Sequence, residues 1–594
     1  MASPAQDDGR LRMPSRLFDE LASGGGSPEA VGFLVRVERT RRMMLLGELL
    51  DRLDELPDAL GPTGGPGSAG EAWRLIAEAA QVRPEAAEAL LMSPQVGCWL
   101  AHMLRRLHGT ADGPPLWADA GHLFSIGLVA RIGAGLDADV VVPVRDGALA
   151  LPTLGLARIA GPARPGFATA RARLRGGELR LSATGSAEGV VVRPLDGIPN
   201  GHWTPARTFA GTSTWLDDLD PYRDLDEPVA PGPLPGAEAA YWQRLFTEAT
   251  AVLSHPTAAG PGRLRVGEVR RIVPWAGRPG RAARPPDPAP EAASPLSATT
   301  ADAFGSMVIS RPADGLALAE AMVHEFQHSK LGALLHLFPL LDDDGAEIHY
   351  APWRSDPRHA AGLLQGAYAF TGVTGFWRDR MADTTADPDV AAFQFALRRL
   401  QTRLVVRTLL TRARPTGPGT RLLHGLADTL DAWLREPVAP GTAARARAAA
   451  LSHQVEWRLR HLRCGDAERI ALASAFRAGA APAPPSARQP VLDPDRAGDW
   501  TDPRGHLYAA PPRRPATADG HLAAGDPHTA RRLYAQSLRD SPSDPHALSG
   551  WLLATAGISP GHRALLRRPE RLRALDPGTP EELQRAADWL LRRP

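Results

Sequence analysis

The chain has 594 residues, 43% of them hydrophobic and 23% charged, enough for several domains and a sizeable buried core. Its 68 lysines and arginines against 66 acidic residues leave a formal charge of +2, which gives no electrostatic footprint for nucleic acid or an anionic membrane. Two cysteines, Cys98 and Cys464, exclude a disulfide framework or a thiolate cluster; with a polar N-terminus and no apolar run long enough to span a bilayer, the expectation is a soluble cytoplasmic protein.

Between Arg16 and His108 apolar residues recur at three and four, as in Met43, Leu45, Leu46, Leu49, Leu50 and Leu53, which predicts a helical N-terminal region over 1–135. Around Asp137 the pattern shifts to short β-branched runs, including Val140–Val144, Ala148–Leu151, Glu178–Ser182 and Val190–Val192. Asp146-Gly147 and Gly176-Gly177 supply turns, so 136–235 reads as a small antiparallel β region. The stretch 236–478 reads as the catalytic core. It opens with a helix at Tyr241–Leu253 and a strand within Leu264–Val273, followed by a Pro/Ala/Arg-rich loop at Arg278–Pro295. A strand-like run at Ala303–Ser310, a turn at Pro312–Gly315 and a helix at Leu316–Leu337 come next. Helices at Ala361–Phe376, Ala391–Thr411 and Arg421–Leu434 continue it. A Pro/Ala-rich linker is expected over 479–514. Over 515–594 the spacing of Gly525, Ala530, Tyr534 and Pro542 resembles half of a tetratricopeptide unit. The fold class expected is α+β and mostly helical, with a zincin-like metal-binding core between helical N- and C-terminal parts.

The chemistry resides in His324-Glu325-Phe326-Gln327-His328. Histidines four apart on a helix share a face and can grip one metal ion, and the intervening Glu325 can handle a proton beside it. Strand, turn and helix in that order are the context in which zincin-like sites are built. The plainer alternative is a helix with two solvent-facing histidines.

The third ligand decides the class. A metzincin would carry glycine and histidine where Leu331 and Leu334 stand. A gluzincin would place a glutamate on the next helix, yet Ala361–Phe376 has Gln365, Tyr368, Thr371 and Thr374 as its polar residues and no carboxylate. Gln365 is the preferred third donor, with His336, His349 and His359 as other candidates and Glu347 in reserve for a peptidase. The loop Tyr350–Arg358 carries Arg354 and Arg358, braced by two prolines and a tryptophan. Guanidinium forks of this kind bind a carboxylate bidentately, as a dicarboxylate co-substrate such as 2-oxoglutarate requires; pairing with Asp342, Asp343 or Asp344 is the structural alternative. An open site with histidine and oxygen donors suits Fe(II), and zinc fits the same imidazoles.

Several stretches together resemble the H-E-x-x-H proteins of actinobacterial ribosomal-peptide modification clusters, a group of 2-oxoglutarate-dependent peptide β-hydroxylases that includes domains fused to radical-SAM maturases. They are Phe18-Asp19-Glu20-Leu21-Ala22-Ser23-Gly24-Gly25-Gly26, Leu151–Gly155, Leu216–Arg223, Val323–Leu331, Ala351–Arg354 and Gly362–Phe370. The resemblance implies a non-heme Fe(II) site, 2-oxoglutarate and O2 as co-substrates, and hydroxylation of a β-carbon in a precursor peptide. A radical-SAM maturase of the same pathway would be a partner. Two other readings are a zinc metallopeptidase with Glu325 as general base, and a non-catalytic module that presents a precursor peptide.

Overall fold

A computed structural model describes residues 12–56, 58–61, 68–159, 165–184, 188–225, 227–254, 260–275, 297–342, 348–382, 387–484, 490–493, 500 and 502–592. The loop expected at Arg278–Pro295, together with Asp343, Asp344 and Glu347, lies outside these residues. The chain divides into two compact units, Met1–Leu21 with Gly25–Phe338, and Ala22–Gly24 with Pro339–Pro594. Helix predominates throughout, as the periodicity predicts.

In the first unit the helices Pro28–Asp54, Ala69–Val82, Pro84–Leu91, Pro94–Leu107 and Leu116–Ala134 precede a seven-stranded antiparallel sheet. Its strands are β1 (Ala138–Arg145), β2 (Ala148–Leu151), β3 (Gly155–Arg158), β4 (Phe167–Arg175), β5 (Glu178–Ala183), β6 (Gly189–Val192) and β7 (Trp203–Pro205), in the order β6-β5-β4-β1-β2-β3-β7. Asp146-Gly147 and Gly176-Gly177 all have positive φ, the backbone that two-residue hairpins need. On β4, Ala170, Ala172 and Leu174 point inward while Arg171, Arg173 and Arg175 point out, the period of two that a half-buried strand dictates. The inward face joins the core of the preceding helices.

A second sheet of five short strands carries the motif helix. Its strands are β8 (Arg207–Thr208), β9 (Trp215–Leu216), β10 (Arg271–Trp275), β11 (Ser297–Ala298) and β12 (Ser306–Ser310), ordered β11-β12-β10-β9-β8. β9, β10 and β12 run parallel, and the outer strands β8 and β11 run antiparallel to their neighbours. The strand expected within Leu264–Val273 starts later, at Arg271, because Val266–Glu268 takes a 3-10 turn. Arg271 is fully buried and anchors the sheet by donating to Ser306 Oγ at 2.8 Å and to Asp217 Oδ2 at 3.3 Å. Asp217 accepts from the Leu219 and Asp220 amides and Asp220 from the Tyr222 amide, so the acidic run braces itself, while burial and the neighbouring Asp217 push the Asp220 carboxyl up to about 7.

The second unit is helical. Ala360–Arg380, Pro388–Arg412, Gly417–Arg435 and Pro440–His461 follow one another, then Asp466–Arg477. Within the expected linker, Val491–Leu492 pairs with Leu462–Arg463 and Arg504 is wholly buried. The tail helices Ala518–Ala523, Pro527–Asp540 and Pro545–Ile558 stack around Tyr534, whose ring lies so close to Gly550 that a Cβ there would collide with it. Arg504 donates to Asp519 Oδ1 at 2.7 Å and to Ser452 and Ser549, tying this hairpin to the helix Pro440–His461. Among the described residues no helix is long and apolar enough to cross a membrane.

Candidate metal centre

The motif helix runs Gly315–Leu337, one residue longer than its periodicity predicts. Asp314 caps it by accepting from the Ala317 amide at 2.8 Å, and Pro339 closes it off from continuing. Most of its faces are apolar and buried, as a helix enclosed by protein requires. Phe326 meets Phe304 edge-on with centroids 5.7 Å apart, and Ser329 Oγ accepts from the Gly305 amide at 3.3 Å. Both contacts fix the helix to the turn that enters β12. On another face, Lys330 Nζ donates to the Gly25 carbonyl at 2.7 Å, and burial pushes its ammonium down to about 7.

His324 and His328 bring their Nε2 atoms to 3.1 Å of each other. Two imidazole nitrogens bound to one ion at about 2.0–2.1 Å in tetrahedral geometry stand roughly 3.3 Å apart, so the pair fits a shared ion with almost no movement. The His324 side chain is 22% exposed, open enough to admit a ligand from outside. Glu325 is fully buried. Its Oε2 accepts from the Thr299 hydroxyl at 2.6 Å. Its Oε1 has no hydrogen-bond partner among the described residues and lies 3.9 Å from His324 Nε2. A buried carboxylate oxygen without a donor is costly, and a cation or a metal-bound water beside the imidazoles would satisfy it. Donor types, spacing and this orphaned oxygen all fit a metal ion.

Thr299, just past the edge strand β11, escaped the sequence reading. A threonine 26 positions before its partner leaves no local signal.

Among the described residues, no group of three His, Cys, Asp or Glu is placed to hold a metal. His336, eight residues past His328 and so turned well around the helix from it, is engaged elsewhere, with Nδ1 2.6 Å from Glu38 Oε1. The other predicted site residues belong to the second unit. Gln365 sits half-buried on Ala360–Arg380. His359 precedes that helix and makes no capping bond with its side chain. His349 pairs through its backbone with Arg358, N–H to carbonyl in both directions at 2.6 and 2.9 Å. Arg354 and Arg358 do come together, on Asp356: Arg354 Nε donates to Oδ1 at 2.6 Å and Arg358 Nε lies 3.0 Å from Oδ2. Their partner is thus inside their own loop, whereas the sequence alternative looked to the acidic run before it. Trp353 stacks on Phe370 at 4.4 Å over Gly366, where a Cβ would overlap the indole. His461 Nε2 and Trp500 Nε1 both bond the Ser355 carbonyl, which ties the loop to the end of the helix Pro440–His461.

No protein-family model matches the chain, and no curated protein matches it.

Proposed function

We propose that this chain is an Fe(II)/2-oxoglutarate-dependent oxygenase that hydroxylates a β-carbon of a residue in a ribosomally made precursor peptide. The observation that carries the metal part of this reading is the convergence of His324 Nε2, His328 Nε2 and the partnerless Glu325 Oε1. The substrate and the oxygen chemistry come from the family resemblance. When bound, Fe(II) with 2-oxoglutarate and O2 supplies the oxidising power to break a C–H bond. The imidazole pair would hold the ion and leave the rest of its coordination sphere open. Thr299 fixes Glu325 so that Oε1 faces the imidazoles, where it can accept a proton or a hydrogen bond from a ligand water. The enclosing apolar helix faces keep bulk water from that carboxylate. Arg354 and Arg358 are assigned the far carboxylate of 2-oxoglutarate on chemical grounds, and Gln365 is retained as the proposed third donor.

The same Oε1 favours one other reading, a zinc peptidase in which Glu325 serves as general base toward a metal-bound water. Among the described residues the helix Ala360–Arg380 offers no carboxylate before Asp379, which weighs against it. One reaction separates the two. The protein is incubated with Fe(II), 2-oxoglutarate, O2 and the short peptide encoded beside its gene, and the products are weighed by mass spectrometry. The expected product is the intact peptide with one added oxygen atom, formed in step with succinate. Two fragments that together equal the peptide plus one water, formed without O2, would retire the oxygenase in favour of the peptidase.

A further inference from the structure

The second unit contains a groove of about 560 Å³ that the metal chemistry does not use. Its length is set by one stripe of the helix Pro440–His461, from Ala448 through Leu451 to Arg458, roughly 15 Å at 1.5 Å per residue. Ala556, at the end of the helix Pro545–Ile558, and Leu566, in the 3-10 turn Pro560–Arg567, complete an apolar floor. Leu566 and Ala556 belong to the hydrophobic cluster beneath, and Leu451 packs on it, so the groove opens directly over a core. Small side chains at Ala448 and Ala556 allow close approach of an incoming backbone.

The rim is basic. Arg458, Arg563 and Arg567 line it, and among the described residues no acidic side chain does. Arg563 and Arg567 are exposed and make no ion pair with any described residue. Arg458 pairs with Glu570 at 2.7 Å, but that carboxylate is shared with Arg568 at 2.6 Å, so it does not neutralise the rim. Guanidinium forks around a narrow apolar floor match carboxylates flanking an apolar side chain. The floor is too apolar for a phosphodiester backbone, and the chain's near-zero net charge gives no broad field for one.

We infer that this groove is a docking site for an acidic, amphipathic peptide segment, which inserts apolar side chains between Ala448, Leu451 and Leu566 while its carboxylates meet Arg563, Arg567 and Arg458. The inference uses residues of the C-terminal unit alone and holds whether or not the imidazole pair takes a metal.

The test is fluorescence anisotropy on the full chain with a fluorescein-labelled peptide of three helical turns, leucine along one face and glutamate elsewhere. A counterpart with lysine for glutamate serves as control. The glutamate peptide should bind, weaken with salt, and lose roughly tenfold or more in affinity with Arg563→Glu and Arg567→Glu combined. Ala448→Trp, which fills the floor, should weaken it comparably. Circular dichroism melts on each variant establish that it is folded. Equal binding of the lysine peptide, or no binding of the glutamate peptide, overturns the inference. So does a charge-reversal effect with Ala448→Trp silent, which would reduce the contact to an exposed basic patch. Self-association of the chain that the same charge reversal abolishes would assign the groove to a second copy, and binding of phosphatidylserine vesicles in place of the peptide would assign it to a lipid surface.

Discussion

The Thr299 hydroxyl holds Glu325 Oε2 at 2.6 Å and turns the other carboxylate oxygen toward His324 Nε2, 3.9 Å away. Thr299→Val should free the carboxylate to rotate while nearly preserving volume. Such outer contacts typically govern roughly 10–100-fold in metal affinity. A chelator-competition titration with Fe(II) or Co(II) should show a loss of that order, restored by Thr299→Ser. His324→Ala with His328→Ala should abolish binding and the metal-dependent rise in melting temperature. Parent-like affinity in Thr299→Val would leave that hydrogen bond a purely structural one, and undiminished binding in the double histidine variant would sink the metal site itself.

Asp356 lies between the two arginines proposed for the co-substrate, so it competes with any carboxylate that approaches them. Asp356→Asn should therefore lower the 2-oxoglutarate concentration needed for half-maximal turnover, while Arg354→Lys or Arg358→Lys should raise it, because an ammonium cannot copy a planar fork. Metal content should stay at the parent level in all three. If none of them moves the co-substrate requirement, the arginines serve only to stiffen their loop.

Gly366 faces the Trp353 indole without room for a Cβ. Gly366→Ala gains helix propensity at that position but must displace the ring from its stack on Phe370, and overpacking of this kind costs about 1–3 kcal/mol. A lower denaturant midpoint is expected, with Trp353→Leu in the same background recovering part of the loss. An unchanged midpoint would show that the indole yields freely.

His546 gives the tail a pH dependence of definite sign. Burial opposes its charge, but Asp519 and Glu456, each 3.0 Å from a ring nitrogen, outweigh that and push it up to about 9. A histidine raised on folding contributes stability that is complete below its unfolded value near 6.5 and disappears as pH climbs through about 9. That contribution is on the order of 3 kcal/mol. Hydrogen exchange in Pro527–Ile558 should accelerate over this window beyond the intrinsic base-catalysed rate, and His546→Gln should flatten the excess. Retention of the full excess in the variant would place its origin elsewhere.

What was legible in the sequence was local. The motif helix and its short entry turn follow from periodicity and turn chemistry, and the two hairpins follow from Asp146-Gly147 and Gly176-Gly177. The convergence of His324 and His328 is a property of one helix and so could be read from spacing. What could not be read depends on residues far apart in the chain or on competition within a crowded loop. Nothing near Thr299 announces Glu325 as its partner. Two arginines in one loop suit an outside anion as well as an inside one, and spacing alone does not show that Asp356, between them, takes both. Arg504 sits in a segment whose composition suggests a linker, yet its partners Ser452, Asp519 and Ser549 arrive from three different helices.

Lys330 and its acceptor have a wider implication. The motif helix depends on a carbonyl at Gly25, and its far end depends on Glu38 through His336. Arg42 donates to the Asp302 carbonyl at 2.9 Å, beside the turn into β12. A fragment cut at 236–478 would keep all five motif residues but remove the partners of Lys330 and His336. The H-E-x-x-H run here is consequently not a portable cassette: whatever it does is inherited together with some three hundred residues of scaffold upstream, and grafting the helix alone should yield an insoluble product.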